Sequence, residues 1–308
     1  MQYRNLGRTG LKVSEISLGS SYTVYVEPEQ TIKGVHKAFE SGINFFDTAN
    51  AYSEAEVTFA KALVDYPRES YVLATKVFGR MGTGPNDRGL SRKHIMEQCD
   101  ASLKRLKIDY IDVYYCHGYD AATPLEETLR AMDDLVHKGK VLYLGVSNWN
   151  AVQIADACAI IDKDLLSRIV VHQPMYNMFN RSIEKDIIPL GEARGIGQAV
   201  YSPLAQGLLT GKYTDTANIP SDSRAAKLEW MKKKVTEEVI EKVRRLTLIA
   251  AELNISVGQL ALAWVLRQSN ISSAIIGASR PEQVKENAEA SGIKLPAEVL
   301  EQIEQVVA

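Results

Sequence analysis

Features that direct a chain out of the cell or into a membrane are missing or scarce in this sequence. Cysteine occurs three times in 308 residues, as Cys99, Cys116 and Cys158, and no two of them form a CxxC pair. This scarcity argues against a disulfide framework and predicts reduced, mostly buried thiols. The first residues carry charges without the apolar core of a signal peptide, and no apolar run approaches the roughly 18 residues of a membrane span. We therefore expect a cytoplasmic protein without a membrane segment.

An excess of charge of either sign is also missing. Lys and Arg number 36 against 38 Asp and Glu, which gives a formal net charge of -2. Nothing in this balance indicates binding to nucleic acid or to an anionic membrane surface. His94, His137 and His172 lack the spacing of metal ligands, so no metal site is predicted. With 45% hydrophobic residues the composition is that of an ordinary globular protein.

What the sequence does contain is a regular alternation of short apolar strands and helices. The predicted barrel strands end at residues 19, 47, 76, 117, 147, 173, 202 and 277. Such spacing is typical of parallel strands joined by crossover helices. We predict a (β/α)8 TIM barrel, with an N-terminal hairpin within residues 1–15 and an open doubly wound sheet as the alternative. The long last interval predicts a loop at 203–234 and extra helices at 236–253 and 256–268, and a further helix follows at 297–306. Because no Pro- or Ser-rich linker interrupts the chain, residues 1–308 are expected to form a single domain.

Charged and aromatic residues come where these strands end, and active sites of barrels lie at that end. Asp47, Lys76 and His117 end three successive strands, and Tyr52 follows on the loop after the first. Asp47 and Tyr52 alone could be a hydrogen-bonded structural pair. An inward-pointing Lys76, however, needs a counter-ion, which Asp47 supplies. The ammonium should pull the pKa of Tyr52 below its ordinary value of about 10, which makes the phenol a general acid. His117 could then orient a substrate oxygen or help relay the proton.

The order Asp47, Tyr52, Lys76, His117 resembles the catalytic tetrad of the aldo-keto reductases, and nearly the whole chain resembles that family. The motifs that carry this resemblance are the segment 3–19, Phe46-Asp-Thr-Ala49, Gly145-Val-Ser-Asn148 and the segment 201–213. The branch that it resembles contains bacterial reductases similar to the potassium-channel β subunits. In those subunits an Asn stands where this chain has His117.

The resemblance implies NADP(H) bound without a Rossmann fingerprint, and none is present, since Gly79–Gly84 does not open a helix as GxGxxG does. At the eighth strand, Pro281 opens a helix whose free N–H groups can receive an anion, and Ser279 and Arg280 suit a 2′-phosphate. Arg280 could equally be a solvated residue at the start of a helix. The full set of implied cofactor-binding residues is Gly19, Ser20, Asp47, Ser147, Asn148, Gln173, Tyr201, Ser202, Pro203, Leu204, Gly207, Lys212, Arg224, Gly277, Ser279, Arg280, Gln283, Glu286 and Asn287.

Aromatic residues on the loops after the strands are candidates for a substrate pocket, although each could serve in packing instead. These residues are Tyr22, Tyr25, Trp149, Tyr176 and Phe179. One departure from the family concerns the first barrel strand. In the family this strand often ends with Gly-Thr followed by an aromatic residue. Here the corresponding residues are Gly19, Ser20 and Ser21.

The resulting hypothesis is NADPH-dependent reduction of an aldehyde or ketone, with hydride from nicotinamide C4 and a proton from Tyr52. A second hypothesis is an NADP(H)-binding redox sensor or regulatory subunit with little turnover. A third is an isomerase or aldolase that uses Lys76 as a Schiff-base amine. Neither the physiological substrate nor the oligomeric state follows from the sequence.

Overall fold

Eight parallel strands form a closed barrel at the centre of the computed structural model, which describes residues 1–221 and 223–307. An antiparallel hairpin precedes the barrel, with strands β1 (Tyr3–Asn5) and β2 (Lys12–Ser14). The barrel strands are β3 (Ile16–Gly19), β4 (Phe45–Asp47), β5 (Val72–Val77), β6 (Ile111–Cys116), β7 (Val141–Ser147), β8 (Ile169–Gln173), β9 (Gly197–Tyr201) and β10 (Ile271–Ile276). Each pairs with the next in the chain, and β10 closes the barrel against β3. The predicted (β/α)8 barrel and its hairpin are therefore confirmed, and the open sheet is wrong.

Helices connect the strands and cover the outside of the barrel. They are α1 (Pro28–Glu40), α2 (Ala55–Leu63), α3 (Arg92–Leu106), α4 (Leu125–His137), α5 (Ala151–Asp164), α6 (Ile187–Arg194), α7 (Arg224–Lys227), α8 (Glu229–Lys232), α9 (Glu237–Glu252), α10 (Val257–Leu266), α11 (Pro281–Ala288) and α12 (Ala297–Val307). Several start where a polar side chain satisfies a free N–H group of the first turn. Ser91 caps α3, and reciprocal capping boxes begin α5 and α10.

The connections after β8 and β9 both contain short helical elements. After β8, a 3-10 turn (Ser182–Glu184) precedes α6. Pro189 lies in the first turn of α6, where its missing N–H leaves no helical hydrogen bond unmade. The loop expected at 203–234 contains a 3-10 segment (Ala205–Thr210) as well as α7 and α8.

The barrel interior is filled by side chains that alternate with outward-facing ones, because successive residues of a strand point to opposite faces. The apolar interior cluster consists of Leu6, Val13, Phe45, Val72, Ala74, Val113, Tyr115, Val171, Ala199 and Ile275. Two of its members, Leu6 and Val13, come from the hairpin, which covers the N-terminal end of the barrel. Gly7 makes the close approach possible, because a Cβ atom there would lie 2.3 Å from the carbonyl oxygen of Val170.

The three cysteines are buried thiols, as the composition predicted. Cys99, Cys116 and Cys158 are all buried and unpaired with one another.

The helices can also be compared with the length of a membrane span. Within the described ranges 1–221 and 223–307, no single helix is both long and apolar enough to cross a bilayer. The helices α9 and α10 meet the length and composition criteria only together, and they are bent by 86° relative to each other.

Candidate active site

Strand alternation determines which polar residues reach the C-terminal mouth of the barrel. Asp47 comes two residues after the interior Phe45, and Lys76 two residues after the interior Ala74. His117 stands in the same relation to Tyr115. A residue two places further along a strand lies on the same face, so these three side chains continue the interior stack into the mouth.

Lys76 and Asp47 form the floor of this mouth. Lys76 has an exposed fraction of 0%, and its ammonium is ion-paired with Asp47 Oδ1. Lys76 Nζ also donates to the carbonyl oxygen of Thr48 at 2.7 Å, and Gln173 Nε2 donates to Asp47 Oδ2 at 2.8 Å. A buried charge is tolerated only when it is paired and hydrogen-bonded, and both members of this pair meet that condition.

Tyr52 and His117 lie above this pair. The Tyr52 hydroxyl oxygen and His117 Nε2 share a hydrogen bond of 3.2 Å, and Lys76 Nζ is 5.1 Å from the centre of the Tyr52 ring. The four residues of the predicted tetrad are thus brought together in space.

The protonation states of Tyr52 and His117 follow mainly from burial. Burial raises the pKa of Tyr52, and this exceeds the lowering by the Lys76 ammonium. The expectation of a pKa below 10 is therefore wrong: enclosure outweighs the neighbouring charge. Burial, assisted by Lys76, lowers the pKa of His117 from 6.5 to about 3. At neutral pH the site thus presents a protonated phenol next to a neutral imidazole.

A second hydrogen-bonded group extends the mouth towards β7 and β9. Tyr201 donates from its hydroxyl to Asn148 Oδ1 at 2.9 Å, and Asn148 Nδ2 donates to Ser147 Oγ at 3.0 Å. Ser147 in turn donates to the carbonyl oxygen of Gln173 at 2.8 Å. Asn148 has a left-handed backbone with φ of 59°, which Asn adopts more readily than most residues.

One cavity of about 600 Å³ extends from Tyr52 and His117 across the barrel mouth to the start of α11. Most residues predicted to bind cofactor or substrate lie on its wall. These are Gly19, Tyr22, Tyr25, Asp47, Ser147, Asn148, Gln173, Tyr201, Ser202, Pro203, Leu204, Gly207, Lys212, Arg224, Gly277, Ser279, Arg280, Gln283, Glu286 and Asn287.

Five of the predicted site residues do not line this cavity. Lys76 lies beneath it, and Ser20 is buried, with its hydroxyl donating to Thr48 Oγ1 at 2.9 Å. The remaining three are aromatic residues proposed for the substrate pocket: Trp149, Tyr176 and Phe179.

Packing explains why these three aromatic residues turn away from the cavity. Trp149 is buried edge-on against Tyr119, with ring centres 5.1 Å apart. Tyr176 is fully buried and accepts a hydrogen bond of 2.9 Å from Arg267. Phe179 packs against the main hydrophobic core. For these three residues the contacts favour packing, the alternative left open for each loop aromatic, over a place on the wall of this cavity.

Other wall residues had not been predicted. They are Ser21, Val26, Gln206, Thr210, Lys227, Leu228, Gly258, Ile275 and Ile276. Gln206 lies inside the segment 201–213, one of the motifs that carry the family resemblance. Its place among predicted cofactor-binding residues could therefore have indicated that it lines the cavity. The residues of α7 and α10 carry no local motif, because they reach the cavity only through the folding of the long connection after β9.

The wall segment from Ser202 to Gly207 has an unusual backbone. Ser202, Ala205 and Gln206 have φ values of 52°, 47° and 60°, and Gly207 has a φ of 102°. A left-handed conformation costs a non-glycine residue about 1–2 kcal/mol. Such strain persists only where surrounding contacts hold it, and it concentrates at functional sites.

The charges on the wall favour an anionic ligand. Four cationic side chains line the cavity, those of Lys212, Arg224, Lys227 and Arg280. Two acidic residues line the same space among the described residues, Asp47, which is paired with Lys76, and Glu286. The first turn of α11 lies at this end of the cavity, where Arg280 and Gln283 line the wall, and the N-terminus of a helix favours negative charge. Guanidinium and ammonium groups around an elongated cavity fit the phosphates of a dinucleotide.

The similarity of this chain to known proteins extends over nearly its whole length. The model of the family described as "Aldo/keto reductase family" matches residues 15–308. A protein of Arabidopsis thaliana named probable voltage-gated potassium channel subunit beta is 45% identical, over 100% of this chain and 97% of that protein. A rice protein (Oryza sativa subsp. japonica) of the same name is 43% identical, over 100% of this chain and 97% of its own length. A Schizosaccharomyces pombe protein named putative voltage-gated potassium channel subunit beta is 42% identical, over 99% of this chain and 93% of its own length.

Proposed function

The chain belongs to the aldo/keto reductase family, and from this premise we propose that it reduces an aldehyde or ketone with NADPH. The observation that carries the proposal is the pairing of Tyr52 with His117 at 3.2 Å on the cavity wall, directly above the buried Lys76. Tyr52 is the proposed proton donor, and Asp47, Lys76 and His117 are the proposed supporting residues.

Each of the four residues has a distinct part in the proposed reaction. Tyr52, kept protonated by burial, gives its proton to the carbonyl oxygen of the substrate. Lys76 stabilises the phenolate that is left, because a positive charge nearby favours the ionised phenol. Asp47 balances the charge of Lys76, and His117, kept neutral, orients the carbonyl oxygen. A bound nicotinamide cofactor supplies the hydride that the carbonyl carbon receives.

The cavity wall supplies a place for the cofactor. We assign the nicotinamide end to Ser147, Asn148, Gln173 and Tyr201, which surround the tetrad. The segment Ser202–Gly207, with Lys212 and Arg224, is assigned to the pyrophosphate. The remaining predicted residues near the first and last strands (Gly19, Ser20, Gly277, Ser279, Arg280, Gln283, Glu286 and Asn287) are assigned to the rest of the cofactor, with Ser20 acting from behind the wall.

The preference for NADPH over NADH is assigned to Ser279 and Arg280, whose groups suit a 2′-phosphate. We further propose that residues 1–308 act as one domain in the cytoplasm on a small-molecule carbonyl substrate, without nucleic acid or membrane. Tyr22 and Tyr25 remain the proposed aromatic contacts of that substrate.

A second candidate is a redox sensor or regulatory subunit that holds NADP(H) with little turnover. It is favoured by the names of the three relatives, each a potassium channel subunit beta. The complete set of Asp47, Tyr52, Lys76 and His117 favours turnover instead, because cofactor binding alone does not require a proton donor.

One assay separates the two candidates. NADPH consumption by the wild-type protein is followed with a panel of aliphatic, aromatic and dicarbonyl aldehydes. Turnover on members of the panel supports the reductase, and tight NADPH binding without any turnover supports the sensor. Repeating the assay with NADH tests the assignment of Ser279 and Arg280 to the 2′-phosphate. This assignment requires a lower KM for NADPH than for NADH.

Schiff-base chemistry at Lys76 is disfavoured by the same geometry. The amine has no exposed surface and is held by Asp47 and the Thr48 carbonyl, so a substrate carbonyl cannot reach it. Borohydride treatment with an aldehyde or ketone should therefore leave Lys76 unmodified, which mass spectrometry would show.

A further inference from the structure

A buried side chain from another loop holds the strained cavity segment Ser202–Gly207. Asn177, on the connection after β8, is 2% exposed, and its Nδ2 donates to the carbonyl oxygen of Ser202 at 3.0 Å. Ser202 is the first of the left-handed residues in this segment and lines the cavity. The position of the Ser202 carbonyl therefore determines the backbone path of the residues up to Gly207 that follow it on the cavity wall.

The orientation of the Asn177 amide is determined by its partners. Asn177 Oδ1 accepts from the backbone N–H of Phe179 at 3.0 Å, and the main chain of Asn177 is paired with Asn180 in both directions, at 3.1 and 3.0 Å. A flipped amide would place oxygen against the Ser202 carbonyl and NH2 against an N–H group. Only the observed orientation satisfies both groups.

The connections after β8 and β9 are joined at this point by more than one contact. Tyr201 donates from its N–H to the Pro174 carbonyl at 3.0 Å, and Tyr176 donates to the Tyr201 carbonyl at 3.3 Å. These backbone contacts hold Tyr201, while the side chain of Asn177 holds the next residue. The Ser202 carbonyl also accepts from Ala205 N at 3.0 Å, a turn within the segment that does not tie it to the barrel.

We infer that Asn177 is a positioning residue: its amide fixes the Ser202 carbonyl and so presents Ser202, Leu204 and Gly207 to the cofactor. This inference rests on the proposed function, since those three residues are proposed cofactor contacts. Asn177 itself does not line the cavity. Its effect is transmitted through the backbone of Ser202, which without that anchor relaxes from its left-handed conformation.

The variant Asn177→Asp tests the donated hydrogen bond, because it keeps the shape and the acceptor for Phe179 but places an oxygen against the Ser202 carbonyl. NADPH affinity is measured by quenching of intrinsic fluorescence. We expect binding about tenfold weaker or more, while kcat at saturating NADPH stays within about threefold, because Tyr52 and His117 are untouched. Met178→Leu, a buried change of similar volume in the same segment, is the control and should keep its affinity within about twofold.

A double-mutant cycle distinguishes positioning from general packing. Glycine adopts a left-handed backbone without strain, so Asn177→Asp should weaken NADPH binding less when Ser202→Gly is also present. A folded Asn177→Asp protein that binds NADPH within about twofold of wild type would overturn the inference, as would a cycle with no coupling. If the aspartate prevents folding, Asn177→Ser takes its place with the same expected result. A wild-type protein that binds no nicotinamide cofactor would instead overturn the proposed function, which the first titration shows.

Discussion

Gln173 donates a hydrogen bond of 2.8 Å to Asp47 Oδ2 across the barrel mouth. Their strands, β8 and β4, are four places apart in a closed ring of eight, and so lie opposite each other. With Lys76 on the other carboxylate oxygen, Asp47 joins the proposed proton-transfer group to the side of the mouth assigned to the cofactor. Both oxygens of the carboxylate are therefore occupied by the protein itself.

Removal of the Lys76 charge should separate stability from catalysis. Lys76→Met leaves Asp47 buried without its counter-ion, and we expect the free energy of unfolding to fall by about 3–5 kcal/mol. The double variant Lys76→Met with Asp47→Asn removes both charges and should recover most of that loss, while aldehyde reduction stays absent. Urea unfolding and NADPH consumption measure the two properties. A single variant as stable as wild type would contradict the buried ion pair.

Tyr52→Phe removes the proposed proton donor while keeping the ring. We expect kcat for aldehyde reduction to fall by about 10²–10⁴-fold, with the dissociation constant for NADPH within about twofold of wild type, because the hydroxyl is assigned to the carbonyl oxygen. Stopped-flow reduction and a fluorescence titration provide the two numbers. Near-wild-type reduction by this variant would sink the proposed mechanism even if the cofactor binds normally.

The pH dependence of reduction follows from the two pKa shifts. Tyr52 is protonated below its raised pKa, and His117 is neutral above a pKa of about 3. Between these limits neither group changes its charge, so kcat should be flat from about pH 5.5 to 9 and fall only as Tyr52 ionises at higher pH. An inflection of kcat near pH 6.5 that disappears in His117→Asn would show that the imidazole titrates there. It would contradict a His117 that stays neutral throughout this pH range.

Acid should destabilise the fold through His117 and His172. The pKa of His117 falls to about 3 and that of His172 to about 4 in the folded protein, mainly through burial, from the ordinary 6.5. Between these values and 6.5 only the unfolded chain binds the protons, so stability falls as the pH decreases through this range, by about 1.4 kcal/mol per pH unit for each histidine. Urea unfolding of wild type and His117→Asn at several pH values tests this. The variant should show the shallower loss, and equal slopes would contradict the assignment.

Tyr176→Phe should affect stability without affecting the substrate. The hydroxyl of Tyr176 donates to Glu184 Oε1 at 2.5 Å and accepts from Arg267, away from the cavity. Its loss leaves a charged network incompletely bonded, so we expect about 1–3 kcal/mol less stability and an unchanged KM for aldehydes. Tyr25→Ala, on the cavity wall, is the comparison and should change the KM. A changed KM in Tyr176→Phe would place that ring back in the substrate pocket.

The barrel strands, and the proximity of Asp47, Tyr52, Lys76 and His117 at the barrel mouth, could be predicted from the sequence. The strands β7 and β8 end at the predicted residues 147 and 173, because buried parallel strands are apolar runs bounded by turns. The gathering of Asp47, Lys76 and His117 follows from their place at the ends of adjacent parallel strands. Their roles, by contrast, remain proposals.

Other properties depend on three-dimensional enclosure and could not be predicted. Whether Lys76 or burial controls the pKa of Tyr52 depends on how much of the phenol the fold encloses. Whether Trp149 or Phe179 faces a cavity depends on the turn taken by its loop, which leaves no period in the sequence. The hydroxyl of Ser20 was expected at the cofactor but meets Thr48, since the backbone directs it behind the wall.

The alternation of side chains through the barrel wall has a consequence for the tolerance of the chain to insertions and deletions. Asp47, Lys76 and His117 each stand an even number of residues from an interior partner, namely Phe45, Ala74 and Tyr115. Loss of one residue within such a strand would exchange its two faces beyond that point, turning the carboxylate of β4 outwards, for example, and Phe46 into the mouth. Insertions and deletions should therefore accumulate in the helices and loops between the strands, while the number of residues in each short strand is kept.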